Sequence, residues 1–94
     1  MEKFSVKTDC DLTSQICDCQ EKIVFHLHLE EGGKIEEHYI EHEVIVTPIV
    51  GKITFTGLDE TVTLRPGEFV VLPENEPHSI FAFYPSDIMV IKVK

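Results

Sequence analysis

Turn-forming residues interrupt this chain roughly every eight to twelve residues, and that spacing constrains the fold more than any other feature. Between the interruptions, apolar and polar residues alternate, and no segment shows the apolar period of an amphipathic helix. The interruptions fall at Gly32-Gly33, residues 41–43, Gly51, Gly57, Pro66-Gly67, Pro73 to Pro77, and Pro85. Closely spaced turns between alternating segments are typical of sandwiches and barrels. We therefore predict an all-β fold of roughly eight to ten short strands.

Residues 22–30 alternate cleanly and predict a strand with one apolar face and one polar face. His26 and His28 fall on the polar face, where solvation or a subunit contact is the usual role of a histidine. At positions i and i+2 they are also about 7 Å apart, close enough to share a metal ion. The apolar face, which we expect to join the core, consists of Ile23, Phe25, Leu27 and Leu29.

The same alternation assigns faces near the C-terminus. In the last strand, we expect Met89, Ile91 and Val93 to face the core and Lys92 to face outward. Residues 69–72 are four apolar residues in a row, which is typical of a strand buried on both faces.

Charge and cysteine content exclude several classes of protein. The net charge is −9, which disfavours binding to nucleic acid or to anionic membranes. No apolar run approaches the roughly 20 residues of a spanning helix, and the first residues lack the layout of a signal peptide. The chain has an odd number of cysteines, Cys10, Cys17 and Cys19, and their spacing is not the usual one of a zinc site. Reduced thiols are therefore expected. These features predict a cytoplasmic protein.

We expect a single domain over residues 1–94. Within it, residues 1–21 are predicted to form an edge strand, at 3–7, and a loop.

An elbow follows the apolar run 69–72. Pro73 and Pro77 cannot donate to a sheet ladder, so they bracket a turn. This turn delivers His78 to the start of the next strand, where a histidine is suited to be a metal ligand or to cap a pocket. Alternation then places Ile80 on the inner face with His78.

The elbow resembles the second conserved motif of the cupin family. Gly67 is followed by five residues before Pro73, and His78 stands at the motif histidine. Asn75 replaces the motif glycine, and Ala82 replaces the final asparagine. Asparagine tolerates the left-handed backbone conformation, so Asn75 is suited to the same turn.

The first cupin motif is matched in spacing but not in chemistry. Five residues separate Gly32 from His38, which therefore takes the position of the first motif histidine. Ile40 occupies the second histidine position, and Val44 occupies the glutamate position, seven residues before Gly51. Residues 22–94 thus resemble a small single-domain cupin with a partly degenerate metal motif. The resemblance implies a jelly-roll barrel, the double-stranded β-helix.

The resemblance also implies a candidate metal site. Cupins gather their motif histidines and glutamate around one divalent transition metal, and such ligands suit iron, manganese, nickel or zinc. Here the candidate ligands are His38 and His78, joined by His42 if the chain turns at 41–43. A second alignment places Glu36, His38 and His42 in the ligand positions. The residues expected to line the pocket are Ile40, Val44, Tyr39, Glu43 and Ile80.

Three functions remain open. The barrel binds a metal, or it is a metal-free module that binds or senses a small molecule, or the protein is a dimeric structural component. Isomerases, dioxygenases and decarboxylases all use this fold, so the fold selects no reaction, and no catalytic residue is assigned. Phe81 and Phe83 are predicted to face outward, and such a surface is typical of the dimer contact of small cupin-like proteins.

Overall fold

The computed structural model describes Lys3, the backbone of residues 13–18, and residues 22–93. The predicted strand at 3–7, and the side chains of Cys10, Cys17 and Cys19, lie outside the described part. Nine strands occur in the described residues: β1 Thr13–Asp18, β2 Lys22–Leu29, β3 Lys34–His38, β4 Glu43–Val50, β5 Ile53–Thr56, β6 Thr61–Leu64, β7 Val70–Leu72, β8 His78–Ala82 and β9 Ser86–Val93. Over those same residues, no helix is long and apolar enough to span a membrane.

The strands form two antiparallel sheets that enclose one core. The first sheet has the order β1-β2-β9-β4-β7, and the second has the order β3-β8-β5-β6. Apolar residues from both sheets meet between them, and the most buried include Val44, Val46, Ile53, Ala82 and Ile88. This confirms the predicted all-β fold, with two sheets around one core.

The elbow between β7 and β8 has the predicted backbone. Asn75 adopts a left-handed conformation, with φ of 64°, as expected for the residue in the glycine position. Its N–H donates a hydrogen bond of 2.8 Å to the carbonyl oxygen of Ile40. The elbow is therefore fastened to the segment that follows β3, which fixes His78 relative to Ile40.

The predicted face of β9 is wrong. Ile88 and Val90 face the core, at 0 and 7% exposure, while Met89 faces the other side. Both faces of this strand are apolar, so hydrophobicity alone does not determine its orientation. The pairing of β9 with β2 and β4 decides it, and it turns Lys92 toward the interior.

The expectation for residues 69–72 is also wrong, because β7 is an edge strand. Leu72 is buried, but Phe69 and Val71 are 61 and 54% exposed. An edge strand of three residues packs one face on the core and leaves the other face open. Another edge strand, β1, occupies residues 13–18, where the aperiodic sequence predicted a loop.

Candidate functional site

A cavity of about 230 Å³ lies between the two sheets. Its wall is largely apolar, with three residues that carry nitrogen donors or acceptors: His38, His78 and Lys92. The first sheet contributes Lys92, and the second contributes both histidines, so they come from opposite walls. The complete lining is Phe25, Leu27, Ile35, His38, Ile40, Val46, His78, Ile80, Val90 and Lys92. Such a cavity, apolar with a few polar groups, has the usual composition of a small-molecule site.

Strand pairing brings the two histidines together. His38 lies at the end of β3 and is the cross-strand partner of His78, at the start of β8. Their ring centroids are 4.3 Å apart in an edge-to-face arrangement. On its other side, the His78 ring stacks on Phe55, with a centroid distance of 5.5 Å. The fold therefore places the rings of His38 and His78 side by side.

Backbone carbonyls fix the tautomer of both rings. The Nδ1–H of His38 donates to the carbonyl oxygen of Glu36 at 2.9 Å. The Nδ1–H of His78 donates to the carbonyl oxygen of Glu76 at 3.0 Å. Because a carbonyl only accepts, each neutral ring keeps its lone pair on Nε2. The pair consequently offers two acceptors to a ligand.

Burial keeps His78 in this neutral form. The ring is buried, and the desolvation of its charged form lowers its pKa below the usual value of 6.5. The hydrogen bond to Glu76 opposes this effect, and the neighbouring His38 adds to it. At neutral pH, His78 therefore acts as an acceptor through Nε2.

The remaining predicted residues lie in four different environments. Ile40 and Ile80 line the cavity. Val44 is only 1% exposed and packs in the core cluster. Tyr39 and His42 line a neighbouring depression with Glu41, next to the cavity. Ile40 and Lys92 border both spaces. Glu43 begins β4 and is exposed.

These residues fit a metal only in part. The two Nε2 lone pairs have the orientation partner that metal-binding histidines commonly use, a carbonyl on Nδ1. However, the family positions at Ile40 and Val44 supply no ligand atom. In the described part of the chain, no three His, Cys, Asp or Glu side chains are grouped so that they could hold a metal ion. The donor set is therefore too small for the metal centre of the family.

A second polar cluster, on the opposite face of the first sheet, joins β2 to β9. The Nε2–H of His26 donates to Asp87 Oδ1 at 2.7 Å, and the Nδ1–H of His28 donates to the same oxygen at 2.9 Å. His28 Nε2–H also reaches Glu30 at 3.1 Å. His26 is 1% exposed, so of its two expected roles, solvation and a subunit contact, the structure excludes solvation. Sequence alternation alone does not reveal this cluster, since Asp87 is 61 residues from His26.

Hydrogen bonds within this cluster favour a positive charge on His28 and a negative charge on Asp87. Hydrogen bonds from His28 to Asp87 and to Glu30 raise the pKa of His28 above 6.5. Burial alone would raise the pKa of Asp87, but the hydrogen bonds from His28 and His26 outweigh it and lower that pKa below 3.8. The Asp87 carboxylate therefore stays ionised and stabilises a protonated His28.

A His28→Gln variant should show that the stabilisation depends on pH. The pKa of His28 is raised in the folded state, so its contribution is fully present below the unfolded value of 6.5 and is lost as the pH rises through the folded value. Urea unfolding should give a larger difference between wild type and variant at about pH 6 than at about pH 9. An equal difference at both values would contradict the charged pairing with Asp87.

Comparison with known proteins agrees with this architecture. The family model described as "Cupin domain" matches residues 25–91. The chain therefore belongs to the cupin family. No significant match is found among curated proteins.

Solved structures show how widely the fold is shared. A cupin from Desulfovibrio desulfuricans is similar with a TM-score of 0.85 and 17% identity, over 99% of this chain and 96% of that one. A cupin from Methanocaldococcus jannaschii with a double-stranded β-helix fold has a TM-score of 0.82 and 20% identity, over 99 and 90% of the two chains. Oxalate decarboxylase from Bacillus subtilis, a protein with Mn(II) centres, has a TM-score of 0.74 and 20% identity, over 79% of this chain and 21% of that chain. At these identities, the likeness shows the fold alone.

Proposed function

We propose that this cupin binds one small organic molecule in the cavity between its sheets. The cavity itself is the observation that carries this proposal: about 230 Å³ of space with an apolar wall and two histidine acceptors. An engineered apolar cavity of about 150 Å³ already binds benzene, so the space suits a molecule of somewhat greater size. The two acceptors favour a ligand with a hydroxyl or an N–H group.

A neutral phenol tests the cavity directly. We expect 4-methylphenol to bind with a stoichiometry of one, as measured by isothermal titration calorimetry, because its ring fits the apolar wall and its hydroxyl donates to Nε2 of a histidine. Ile40→Trp should fill the space and abolish binding. Ile49→Trp is the matched control, since Ile49 is 39% exposed and is not part of the cavity wall. Failure of wild type to bind any neutral aromatic probe would overturn the proposal.

A divalent transition metal at His38 and His78 is a second candidate. Support comes from the two Nε2 lone pairs on adjacent rings. Two imidazoles bind iron, manganese, nickel or zinc weakly, and His42 in the neighbouring depression would be the third ligand only after a rearrangement. Oxalate decarboxylase, part of which has a similar fold, is a protein with Mn(II) centres.

Metal analysis of untagged protein separates the two candidates. We expect less than one equivalent of tightly bound transition metal, and a further fall in His38→Ala and in His78→Ala, because each removes one of two ligands. Elemental analysis by mass spectrometry measures this content. A stoichiometric metal that survives both substitutions would contradict a site at these histidines.

We also propose that the protein is a cytoplasmic homodimer. Phe81 and Phe83 are each 41% exposed on the outer side of the second sheet, and their rings meet edge to face at 5.3 Å. Lys52 lies over the Phe83 ring at 4.9 Å, at the border of this aromatic pair. An exposed pair of aromatic rings favours a covered surface, and a second copy supplies a matching one.

Replacing Phe81 with serine should convert the dimer to a monomer. The substitution removes an exposed ring from the outer face, so we expect little change in folding but a lower mass in light scattering. Leu58→Ser is the control, because Leu58 is 64% exposed in the turn between β5 and β6. Dissociation by the Leu58 variant, with the Phe81 variant still dimeric, would contradict this assignment.

A further inference from the structure

Lys92 brings a cation to an apolar cavity. Its ammonium lies 5.2 Å from the centroid of the Phe25 ring, and both residues line the cavity. Within residues 22–93, no carboxylate forms an ion pair with Lys92. The acid that shares its surroundings, Glu41, lines the neighbouring depression and is not part of the cavity wall.

The half-buried Lys92 ammonium loses part of its hydration beside this apolar surface, which is unfavourable for a charged group without a counterion. The contact with Phe25 offsets only part of this cost. An anionic ligand group would offset more, since a charge-assisted hydrogen bond is stronger than a neutral one. The cation also disfavours a second cation in the same cavity.

The histidines on the opposite wall of the cavity favour a different ligand group. His38 and His78 present acceptors through Nε2, because their Nδ1–H groups are already bonded to carbonyl oxygens. An acceptor repels a carboxylate and binds a donor. The two walls of the cavity therefore select different groups on one molecule: an anion beside Lys92 and a hydroxyl beside the histidines.

We infer that the cavity takes a small hydroxylated carboxylic acid, whose carboxylate pairs with Lys92 and whose hydroxyl donates to the histidine pair. The apolar body of this acid lies against Phe25, Leu27 and Ile80. This inference rests on the proposed binding function and names its class of ligand. It assigns Lys92 as the residue that determines specificity.

Three probes of similar shape test the inference. They are 4-methylphenol, 4-hydroxybenzoate and 4-hydroxybenzylamine, which differ mainly in the charge opposite the hydroxyl. By calorimetry, we expect 4-hydroxybenzoate to bind about tenfold tighter than 4-methylphenol and the amine to bind weaker than both. In Lys92→Met, the tenfold advantage should vanish while 4-methylphenol still binds. Lys34→Met removes an exposed charge outside the cavity and should keep the advantage.

The outcomes distinguish a wrong ligand class from a wrong binding function. If 4-methylphenol binds but the carboxylate gives no advantage, or Lys92→Met keeps the advantage, the inference is overturned and the binding function survives. If no probe binds to wild type, both fail. Lys92→Arg retains the cation and should retain a preference for the acid over the amine, which shows that a loss in Lys92→Met arises from charge. Equal binding of acid and amine to wild type would also overturn the inference.

Discussion

Replacing Asp87 with alanine is expected to lower the free energy of unfolding by about 3 kcal/mol. Asp87 is 5% exposed, and one of its oxygens accepts hydrogen bonds from both His26 and His28. Without this carboxylate, the buried His26 loses an acceptor and the charge on His28 loses its nearest partner. Urea unfolding followed by circular dichroism measures the change.

A matched control for this prediction is Glu30→Ala. Glu30 also contacts His28, but its side chain is 80% exposed, so its loss should change stability by no more than about 0.5 kcal/mol. The pKa of Asp87 is lowered in the folded state, so its contribution should be present above pH 3.8 and lost as the pH falls through the folded value. Equal effects of the two substitutions at neutral pH would contradict the account of this cluster.

Gly51→Ala should destabilise the protein by a similar amount, about 3 kcal/mol. Gly51 lies in the reversal between β4 and β5, with φ of +91°, a conformation that residues with a Cβ rarely adopt. A Cβ at this position would also lie 2.7 Å from the carbonyl oxygen of Pro85 and would collide with the hydroxyl of Ser86. Thermal unfolding by calorimetry measures the loss.

Gly32→Ala separates the two causes. Gly32 has φ of +77°, but a Cβ there would meet no atom within 4 Å. This control should therefore show only the backbone cost of about 1 kcal/mol. If Gly51→Ala were no worse than Gly32→Ala, the close contact with Pro85 and Ser86 would not determine the requirement for glycine.

The sequence predicted the fold and the two histidines on one wall of the cavity, because those features depend on local patterns. Turn residues and alternation define the strands, and the elbow predicts both the backbone of Asn75 and the inward side of β8. His38 and His78 then meet because the motif spacing places them on paired strands. The buried Val44 shows that a residue in a family ligand position here belongs to the core.

The rest of the site depends on pairing between distant strands. In β9, Ile88 and Val90 alternate with Met89 and Ile91, so both orientations bury apolar residues. Only the register with β2 and β4 shows that Lys92 faces the cavity. The same register places Asp87 opposite His28 and creates the charged cluster on the other face. Hydrophobicity does not determine which face of β9 points to the core, since both faces are apolar.

The most direct test of the central claim, that the cavity between the sheets is a ligand site, is a methyl NMR titration with 4-hydroxybenzoate. We expect the methyl signals of Ile40 and Ile80, which line the cavity, to shift with a common saturation curve. The methyl signal of Ile49, on the exposed part of β4, should remain in place. Saturable shifts at Ile49, with no change at Ile40 and Ile80, would place binding elsewhere and contradict the claim.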